Sequence, residues 1–304
     1  MTEPGVSSEA AELFRLCCNW DRWGNDDQLG TLNYITPEVT LAAMGEVRLG
    51  RTVSLARTLD ARHSTPGTPA PIELHMLYAE GPDPITCGEL ISLRVHGMDK
   101  THSDALGHEF WSGQAYGGRR ASEIITRGGL AVGDTLAQAG GVVTRGVLLD
   151  VCAVRGVRWL EPGEGISAAD LEAAEELAGT RLRAGDAVVV HAGSDRRQAA
   201  GMPHDPSGDR EGLLPECLPL LHERQVAVFA ADCIERLPSN LPGMPFPLHQ
   251  VGITGMGLML VDSVRADRLV DACAEAGRST CLFVVSPLPI QGGTGSPVNP
   301  LCIL

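Results

Sequence analysis

The segment 96–108 carries the densest set of side chains that could do chemistry. Three of the nine histidines, His96, His102 and His108, fall within it, together with two aspartates. Neutral imidazole and carboxylate are ligands that suit Zn²⁺, Mn²⁺ or Fe²⁺. Because residues two apart on a strand point to the same side, about 7 Å apart, His102 and Asp104 can share one ion. This spacing predicts a metal centre.

The outer histidines of the segment need a change of chain direction to reach that centre. Six extended residues span roughly 20 Å, so His96 can join the same ion only if the chain turns back at Gly97. His108 follows a turn at Gly107 and could serve near the ion as a general acid or base. The alternative is a surface strand and loop that holds three histidines by chance.

Two further histidines and two tryptophans are weaker candidates. His249 follows a loop rich in proline and glycine, and His191 ends an apolar strand. Each, taken alone, is more typical of a structural histidine than of a ligand. Trp20 and Trp23 lie in a turn-rich stretch, where they either pack on the core or form one wall of a binding site.

Other catalytic motifs are missing from the sequence. It has no H-E-x-x-H pair of a zincin protease, no G-x-S-x-G nucleophile elbow and no G-x-G-x-x-G dinucleotide fingerprint. The glycine-rich run 292–296 is not followed by the lysine of a phosphate-binding loop. These absences leave the histidine and aspartate cluster as the main chemical signal.

Strands and helices alternate around this cluster. Apolar runs predict strands over 142–151 and 186–191 that are buried on both faces. Capping signals predict helices over 37–48, 168–179 and 265–276. Long loops and hairpin-like segments intervene, which favours a mixed α/β fold over a purely doubly wound sheet.

Length and composition bound the remaining possibilities. The chain has 304 residues, of which 43% are hydrophobic, so it can bury a sizeable core. No repeat or linker divides it, and we predict one domain over 1–304 with an N-terminal arm over 1–35. A net charge of −14 makes nucleic acid and anionic membrane unlikely partners.

The cysteines and the N-terminus indicate a cytoplasmic protein. The nine cysteines are irregularly spaced and include no C-x-x-C pair. No stretch at the N-terminus has the basic and apolar regions of a signal peptide. We therefore predict reduced, mostly buried cysteines in a cytoplasmic protein. No run approaches the ~18 apolar residues that span a bilayer.

Several segments together resemble the metal-dependent cyclase family, which includes bacterial kynurenine formamidase and isatin hydrolase. Thr101-His102-Ser103-Asp104 and His108 match the T-H-x-D-x-x-x-H part of the family signature H-x-G-T-H-x-D-x-P-x-H. The segments 23–33, 145–150 and 292–300 are similar to corresponding segments of its long-form members. The resemblance extends over nearly the whole chain.

The resemblance implies a swivelling β/β/α-type fold with a mixed sheet, a homodimer or higher homo-oligomer, and one or two Zn²⁺ or Mn²⁺ ions per chain. It implies that His102, Asp104 and His249 are metal ligands, and it gives catalytic roles to His108 and, less directly, Asp262. The family's first signature histidine corresponds to Met98 here, so His96 is expected to replace it. Leu106 stands at the proline of the signature, and Asp262 where the family has glutamate.

The expected activity is metal-dependent hydrolysis of an amide, formamide, cyclic amide or lactone in a small-molecule substrate. Metal-activated water would attack, and His108 would transfer the proton. Trp20, Trp23, Phe110 and Trp111 are the candidates for an apolar pocket that holds a ring. Two alternatives stay open: an intramolecular cyclase or dehydratase of specialised metabolism, and a diverged member that binds a small ligand without turnover.

Overall fold

A nine-stranded mixed sheet forms the centre of the fold. The computed structural model describes residues 6–61, 72–78, 85–202 and 208–304. The strands that it contains within these ranges are β1 (Thr52–Ser54), β2 (Glu73–Tyr78), β3 (Cys87–Ser92), β4 (His102–Asp104), β5 (Ile125–Thr126), β6 (Gly129–Leu130), β7 (Val142–Asp150), β8 (Gly165–Ile166), β9 (Ala187–His191), β10 (Gly212–Leu213), β11 (Val228–Ala231), β12 (Ile234–Glu235), β13 (Met259–Asp262), β14 (Thr280–Val285), β15 (Gly295–Pro297) and β16 (Leu301–Ile303).

The main sheet has the strand order β1-β16-β14-β7-β9-β11-β13-β4-β15. The middle strands β7, β9, β11 and β13 run parallel to one another, and the flanking pairs are antiparallel. Strand direction therefore reverses between β13 and β4. Smaller sheets are formed by β12-β10-β8, by β2-β3 and by β5-β6.

Eight α-helices are present in the described ranges: α1 (Ser8–Cys17), α2 (Pro37–Ala43), α3 (Ala121–Ile124), α4 (Val151–Arg155), α5 (Ala168–Leu177), α6 (Ser194–Ala199), α7 (Cys217–Glu223) and α8 (Ala266–Ala276). Short 3₁₀ helices cover Gly30–Tyr34, Met44–Glu46, Tyr116–Gly118 and Thr135–Gln138, and a π-helix covers Leu248–Met256. No helix in these ranges is long and apolar enough to cross a membrane.

The parallel strands are buried on both faces, as the apolar runs predict. Successive residues of each strand enter different core clusters: Leu149 and Val190 face one cluster, Leu148 and Val189 the other. The first cluster contains residues of α1, α5, α7 and the π-helix, and the second contains residues of α8. The sheet is thus the middle layer between two sets of helices, which confirms the mixed α/β fold.

Local capping explains where several helices begin. Thr36 Oγ1 accepts a hydrogen bond from Val39 N, and Pro37 occupies the first helical position of α2. At α5, Ser167 and Asp170 form a reciprocal capping box, as predicted. The helix α8 ends at Gly277 in the left-handed conformation.

Two local features shape the chain near the candidate site. Strand β3 ends at Ser92, and Gly97 adopts φ +146° before β4 begins. His249 follows the loop rich in proline and glycine and lies in the first turn of the nine-residue π-helix. That helix has no charged residue and is largely buried, so its placement depends on tertiary packing rather than on an amphipathic pattern.

Candidate metal centre

Strand β4 supplies the centre of the candidate site. His102 and Asp104 lie at alternate positions of this buried strand and so project to the same side of the sheet. The His102 Nδ1 atom donates a hydrogen bond to the carbonyl oxygen of Lys100 at 3.1 Å. This bond leaves Nε2 as the free nitrogen, and Nε2 lies 3.6 Å from Asp104 Oδ1. The sequence-predicted pair is therefore brought together.

His96 joins them because the chain turns at Gly97. Its Nδ1 atom lies 3.0 Å from Asp104 Oδ1, and its Nε2 atom is 3.0 Å from the hydroxyl oxygen of Thr294. Thr294 belongs to the glycine-rich run near the C-terminus, so that run orients the His96 ring. A histidine six residues before His102 thus occupies the place beside the carboxylate that Met98 cannot fill.

Two distal residues complete the cluster. Asp262 ends β13 and is paired in register with His102 on the antiparallel neighbour β4. His249 lies in the first turn of the π-helix, with Nε2 at 3.3 Å from Asp262 Oδ2 and 3.7 Å from Asp104 Oδ2. Residues separated by more than a hundred positions therefore converge at the point where strand direction reverses.

The side chains form two groups that could each hold a cation. His96, His102 and Asp104 form one group, and Asp104, His249 and Asp262 form the other, with the potential ligand atoms of each group within 4.8 Å of one another. Both oxygens of Asp104 and Oδ1 of Asp262 are buried and accept no well-aligned hydrogen bond among the described residues, although the His96 Nδ1 atom lies close to Asp104 Oδ1. Unpaired buried donors and acceptors are costly, and a shared divalent ion would satisfy them. The donor set fits the predicted metal.

The charges of the cluster are strongly coupled. Burial would raise the pKa of the Asp104 carboxyl, but the neighbouring imidazoles, His96 first among them, outweigh burial and lower it. Burial would lower the pKa of His249, but Glu235 and Asp262 outweigh it and raise that pKa well above its ordinary value. The site therefore keeps the Asp104 carboxylate ionised and attracts positive charge, whether protons or a metal ion.

Glu235 is a residue of the candidate site that sequence reasoning missed. It is almost fully buried, and its oxygens lie 2.8 and 3.1 Å from Nδ1 of His249. Glu235 Oε2 also accepts a hydrogen bond from His249 N at 3.2 Å. A carboxylate that binds one ring nitrogen fixes the tautomer and aims the other nitrogen at the metal. The two-residue strand β12 gives no sequence signal for this role.

His108 lies beside the cluster without joining either group. Its ring stacks on His96 with centroids 3.6 Å apart and planes 3° from parallel. Burial lowers the pKa of His108 to about 4, with the nearby histidines adding to the effect and Asp104 opposing it. The ring is therefore neutral near pH 7 and has one nitrogen free to accept a proton.

The four predicted pocket aromatics lie in different surroundings. Trp20 packs edge-to-face on Phe14 and donates from Nε1 to the carbonyl oxygen of Thr254 in the π-helix. Trp111 stacks on the same Phe14 ring. Phe110 packs against the small cluster around Leu130. Trp20 and Trp111 therefore belong to the packing that supports the π-helix, because Phe14 lies against Gly255 of that helix, whereas Phe110 packs in a separate cluster.

Trp23 has a different environment. Its ring packs edge-to-face on Tyr34, with centroids 5.0 Å apart. The Arg22 guanidinium lies over both rings, 5.5 Å from the Trp23 centroid and 5.2 Å from that of Tyr34. These contacts tie the turn-rich stretch to the 3₁₀ helix that follows it.

A family comparison agrees with this geometry. The model of the Cyclase family, described as "Putative cyclase", matches residues 43–235. The chain belongs to the Cyclase family. The match spans β4 and the histidine and aspartate cluster of segment 96–108, and it confirms the resemblance stated from the sequence.

Solved structures extend the comparison to nearly the full chain. A crystal structure described as a novel cyclase is 28% identical, with a TM-score of 0.85 over 96% of this chain and 99% of the other. An isatin hydrolase bound to the product analogue thioisatinate is 18% identical, with a TM-score of 0.61 over 88% of this chain and 99% of the other. Isatin hydrolase A from Labrenzia aggregata is 21% identical, with a TM-score of 0.60 over 87% and 96%. The two isatin hydrolases share the fold with this Cyclase-family chain. Among curated proteins, none matches it.

Proposed function

We propose that this Cyclase-family protein is a metal-dependent hydrolase that cleaves an amide, formamide, cyclic amide or lactone. The observation that carries the proposal is the pair of three-residue groups that share Asp104, with its two carboxylate oxygens buried and unpaired. Such a donor set of imidazole and carboxylate matches catalytic Zn²⁺ or Mn²⁺ sites. An enzyme is the function that best accounts for the cost of burying these groups together.

The proposed cofactor is one or two divalent ions. His96, His102 and Asp104 would hold one, and Asp104, His249 and Asp262 the other. When bound, Zn²⁺ or Mn²⁺ supplies Lewis-acid polarisation of a carbonyl and lowers the pKa of coordinated water toward 7. In this assignment Asp262, expected from the sequence in a catalytic role, acts as a ligand. Sharing of Asp104 would keep the two ions close together.

The protein's own contribution to the proposed reaction is proton transfer and orientation. The neutral ring of His108 can accept a proton as the nucleophile forms and return it to the leaving nitrogen or oxygen, a role worth about 10²–10⁴-fold in rate. Its stacking on His96 fixes the plane of the ring. Thr294 and Glu235 hold His96 and His249 in one orientation each.

The substrate proposed is a small molecule with a ring next to its scissile carbonyl. Trp20, Trp23, Phe110 and Trp111 are proposed to shape the apolar side of its pocket, through the π-helix and the turn-rich stretch that they support. Isatin hydrolases share the fold, and isatin carries a cyclic amide, which makes cyclic amides the first class to screen. Formamides and lactones follow.

A diverged protein that binds a small ligand without turnover is the less favoured alternative. It rested on Met98 in place of a histidine and on Asp262 in place of a longer glutamate. His96 contacts the Asp104 carboxylate, while Met98 packs against the hydrophobic core, and Asp262 lies 3.3 Å from His249 Nε2 despite its shorter side chain. Ring closure at the same site stays the alternative reaction. A product assay decides between the two, because it shows whether a ring is opened or formed.

We also propose a homodimer, because the hairpin β2–β3 is apolar and exposed. Leu74, Met76 and Leu77 of β2 and Leu90 and Ile91 of β3 are each about half exposed. A two-stranded hairpin is only marginally stable by itself, and a second copy would cover these side chains.

The nine free cysteines, seven of them buried, agree with the predicted cytoplasmic location.

The test is metal content and turnover of the wild-type protein beside His102→Ala, with His75→Ala as the control. His75 is an exposed histidine of the hairpin outside the cluster. We expect about one or two equivalents of Zn or Mn per chain in the wild type and the control, and in His102→Ala the loss of hydrolysis and of the equivalent that His96, His102 and Asp104 would hold. Full hydrolysis by a metal-free protein would refute the proposal. Metal binding with a ring-forming product would support the cyclase alternative.

A further inference from the structure

The pairing between β13 and β4 stops directly after two of the proposed metal ligands. Its last paired residues are Asp262 and His102. The next pair along the two strands would be Ser263 and Thr101. Ser263 instead adopts φ +57°, in the left-handed region that residues other than glycine rarely enter. The backbone of β13 therefore leaves the extended conformation immediately after Asp262.

Side chains replace the backbone pairing at this point. Thr101 Oγ1 donates a hydrogen bond to the carbonyl oxygen of Ser263 at 2.8 Å, and it accepts one from Arg57 N at 2.9 Å. Arg57 Nε donates to the same Ser263 oxygen at 3.0 Å. Arg57 thus binds both the residue that precedes His102 and the residue that follows Asp262.

The guanidinium group of Arg57 is itself held in place. Its Nη1 atom lies 2.5 Å from Asp195 Oδ1, and Arg265 Nε donates to the other carboxylate oxygen at 3.1 Å. The side chains of Arg57 and Asp195 are 14% and 8% exposed, so salt screens this ion pair only weakly. Because a guanidinium presents several donors in one plane, Arg57 binds the carboxylate and the Ser263 carbonyl oxygen at the same time.

We propose that Arg57 is a positioning residue of the candidate metal centre. It fixes the backbone on both sides of the junction between β13 and β4, and so sets the position of His102 relative to Asp262. His102 belongs to one of the two cation-binding groups and Asp262 to the other. A shift at the junction therefore disturbs both groups, although no ligand is lost. The inference rests on the proposed function as a metal-dependent hydrolase.

Arg145 offers a matched comparison. Its guanidinium group is also buried, and it also binds one carboxylate, that of Asp186, and one carbonyl oxygen, that of Arg181. Strand β7, which carries Arg145, is separated from β13 by β9 and β11. Replacement of Arg145 should therefore lower the stability of the fold without moving His102 or Asp262.

The test compares Arg57→Lys with Arg145→Lys in the full-length protein. Lysine keeps the positive charge, but its single ammonium group cannot reproduce the planar set of donors. Each metal-free protein would be titrated with Co²⁺ in competition with a chelator. The visible absorption of the bound Co²⁺ would be recorded, because its bands depend on the number and arrangement of the ligands. Denaturant unfolding of the same metal-free samples measures the loss of stability. Asp195→Asn, which removes the charged partner of Arg57, is the second variant.

We expect Arg57→Lys to weaken cobalt binding at least tenfold and to shift the absorption of the bound cobalt, and Asp195→Asn to do both to a smaller extent. Arg145→Lys should lose stability but keep the wild-type spectrum and an affinity within about threefold.

Wild-type affinity and spectrum in Arg57→Lys would overturn this inference alone, and so would an equal loss of affinity in Arg145→Lys. If Arg57→Lys does not fold, wild-type affinity and spectrum in Asp195→Asn would overturn it. A wild-type protein that binds no metal would overturn the proposed function, and this inference with it.

Discussion

Replacing Glu235 by glutamine tests whether an outer carboxylate sets the metal affinity of His249. Glu235 oxygens make three contacts with this residue, at 2.8 and 3.1 Å to Nδ1 and 3.2 Å to the backbone N. Glutamine has nearly the same volume as glutamate but only one acceptor oxygen. Its NH₂ group must therefore face one of the two His249 donors, Nδ1 or the backbone N, that now bond to the carboxylate. The variant also removes the negative charge that raises the pKa of His249.

The expected loss follows from these contacts. Removing the outer partner of a metal-ligating histidine typically weakens metal binding 10–100-fold, or about 1.4–2.7 kcal/mol. The loss should affect the ion held by Asp104, His249 and Asp262. The ion at His96 and His102 makes no contact through Glu235, so it should be affected only through the shared Asp104 and lose less affinity. We therefore expect one equivalent to be weakened more than the other.

The assay is competition for Zn²⁺ between the metal-free protein and a chromophoric chelator, at constant pH. Glu175→Gln is the matched control, because Glu175 is an equally buried glutamate whose Oε1 accepts from Leu182 N, in a different part of the fold. Unchanged affinity in Glu235→Gln would refute the reasoning. An equal loss in Glu175→Gln would assign the effect to general destabilisation.

Two predictions concern stability. Gly257 has φ +70°, and an added Cβ would lie 2.7 Å from Gly30 Cα and from the Tyr116 ring. Gly257→Ala should therefore lower the free energy of unfolding, measured in denaturant, by about 3 kcal/mol. Gly277→Ala is the control, because Gly277 has φ +63° but an added Cβ would meet no atom within 4 Å. It should lower the free energy of unfolding by only about 1 kcal/mol, and equal losses in the two variants would contradict the packing argument. The Arg155 hydrogen bond, opposed by burial and aided by Ser167, lowers the pKa of Asp170 to about 2. Its stabilisation is complete above the unfolded pKa and is lost as pH falls through about 2. Asp170→Asn should therefore cost about 1 kcal/mol at pH 7, after allowance for partial exposure, and progressively less as pH falls through that value. A stability difference independent of pH would contradict this.

The sheet could be predicted from sequence where burial leaves a simple pattern. The run over 142–151 and the run over 186–191 are apolar on consecutive residues because both faces are covered, and they became β7 and β9. The π-helix and the reversal of direction beside β13 could not be predicted in this way. Neither changes the local composition, and both are determined by contacts between distant segments.

The same contrast separates the residues of the candidate site. His102 and Asp104 were predictable from their spacing, because strand alternation alone places them together. Asp262 entered only through the family resemblance, and His249 was a weak candidate until the resemblance implied that it is a ligand. Glu235 and Thr294 were missed, since each acts on a histidine that belongs to another element, 14 positions away for Glu235 and 198 for Thr294. Sequence spacing carries no signal for such partners.

The reversal between β13 and β4 explains why the site lies where it does. Parallel strands bring their carboxyl ends to one edge, so β13 presents Asp262 at the edge where β7 and β9 present Asp150 and His191. An added parallel strand would bring only its own last residues to that edge. Because β4 is antiparallel, its first residue, His102, pairs with Asp262 instead. The segment before β4, with His96, then lies at the same edge and can turn back toward the carboxylates. The ligand set thus depends on strand direction as much as on residue type.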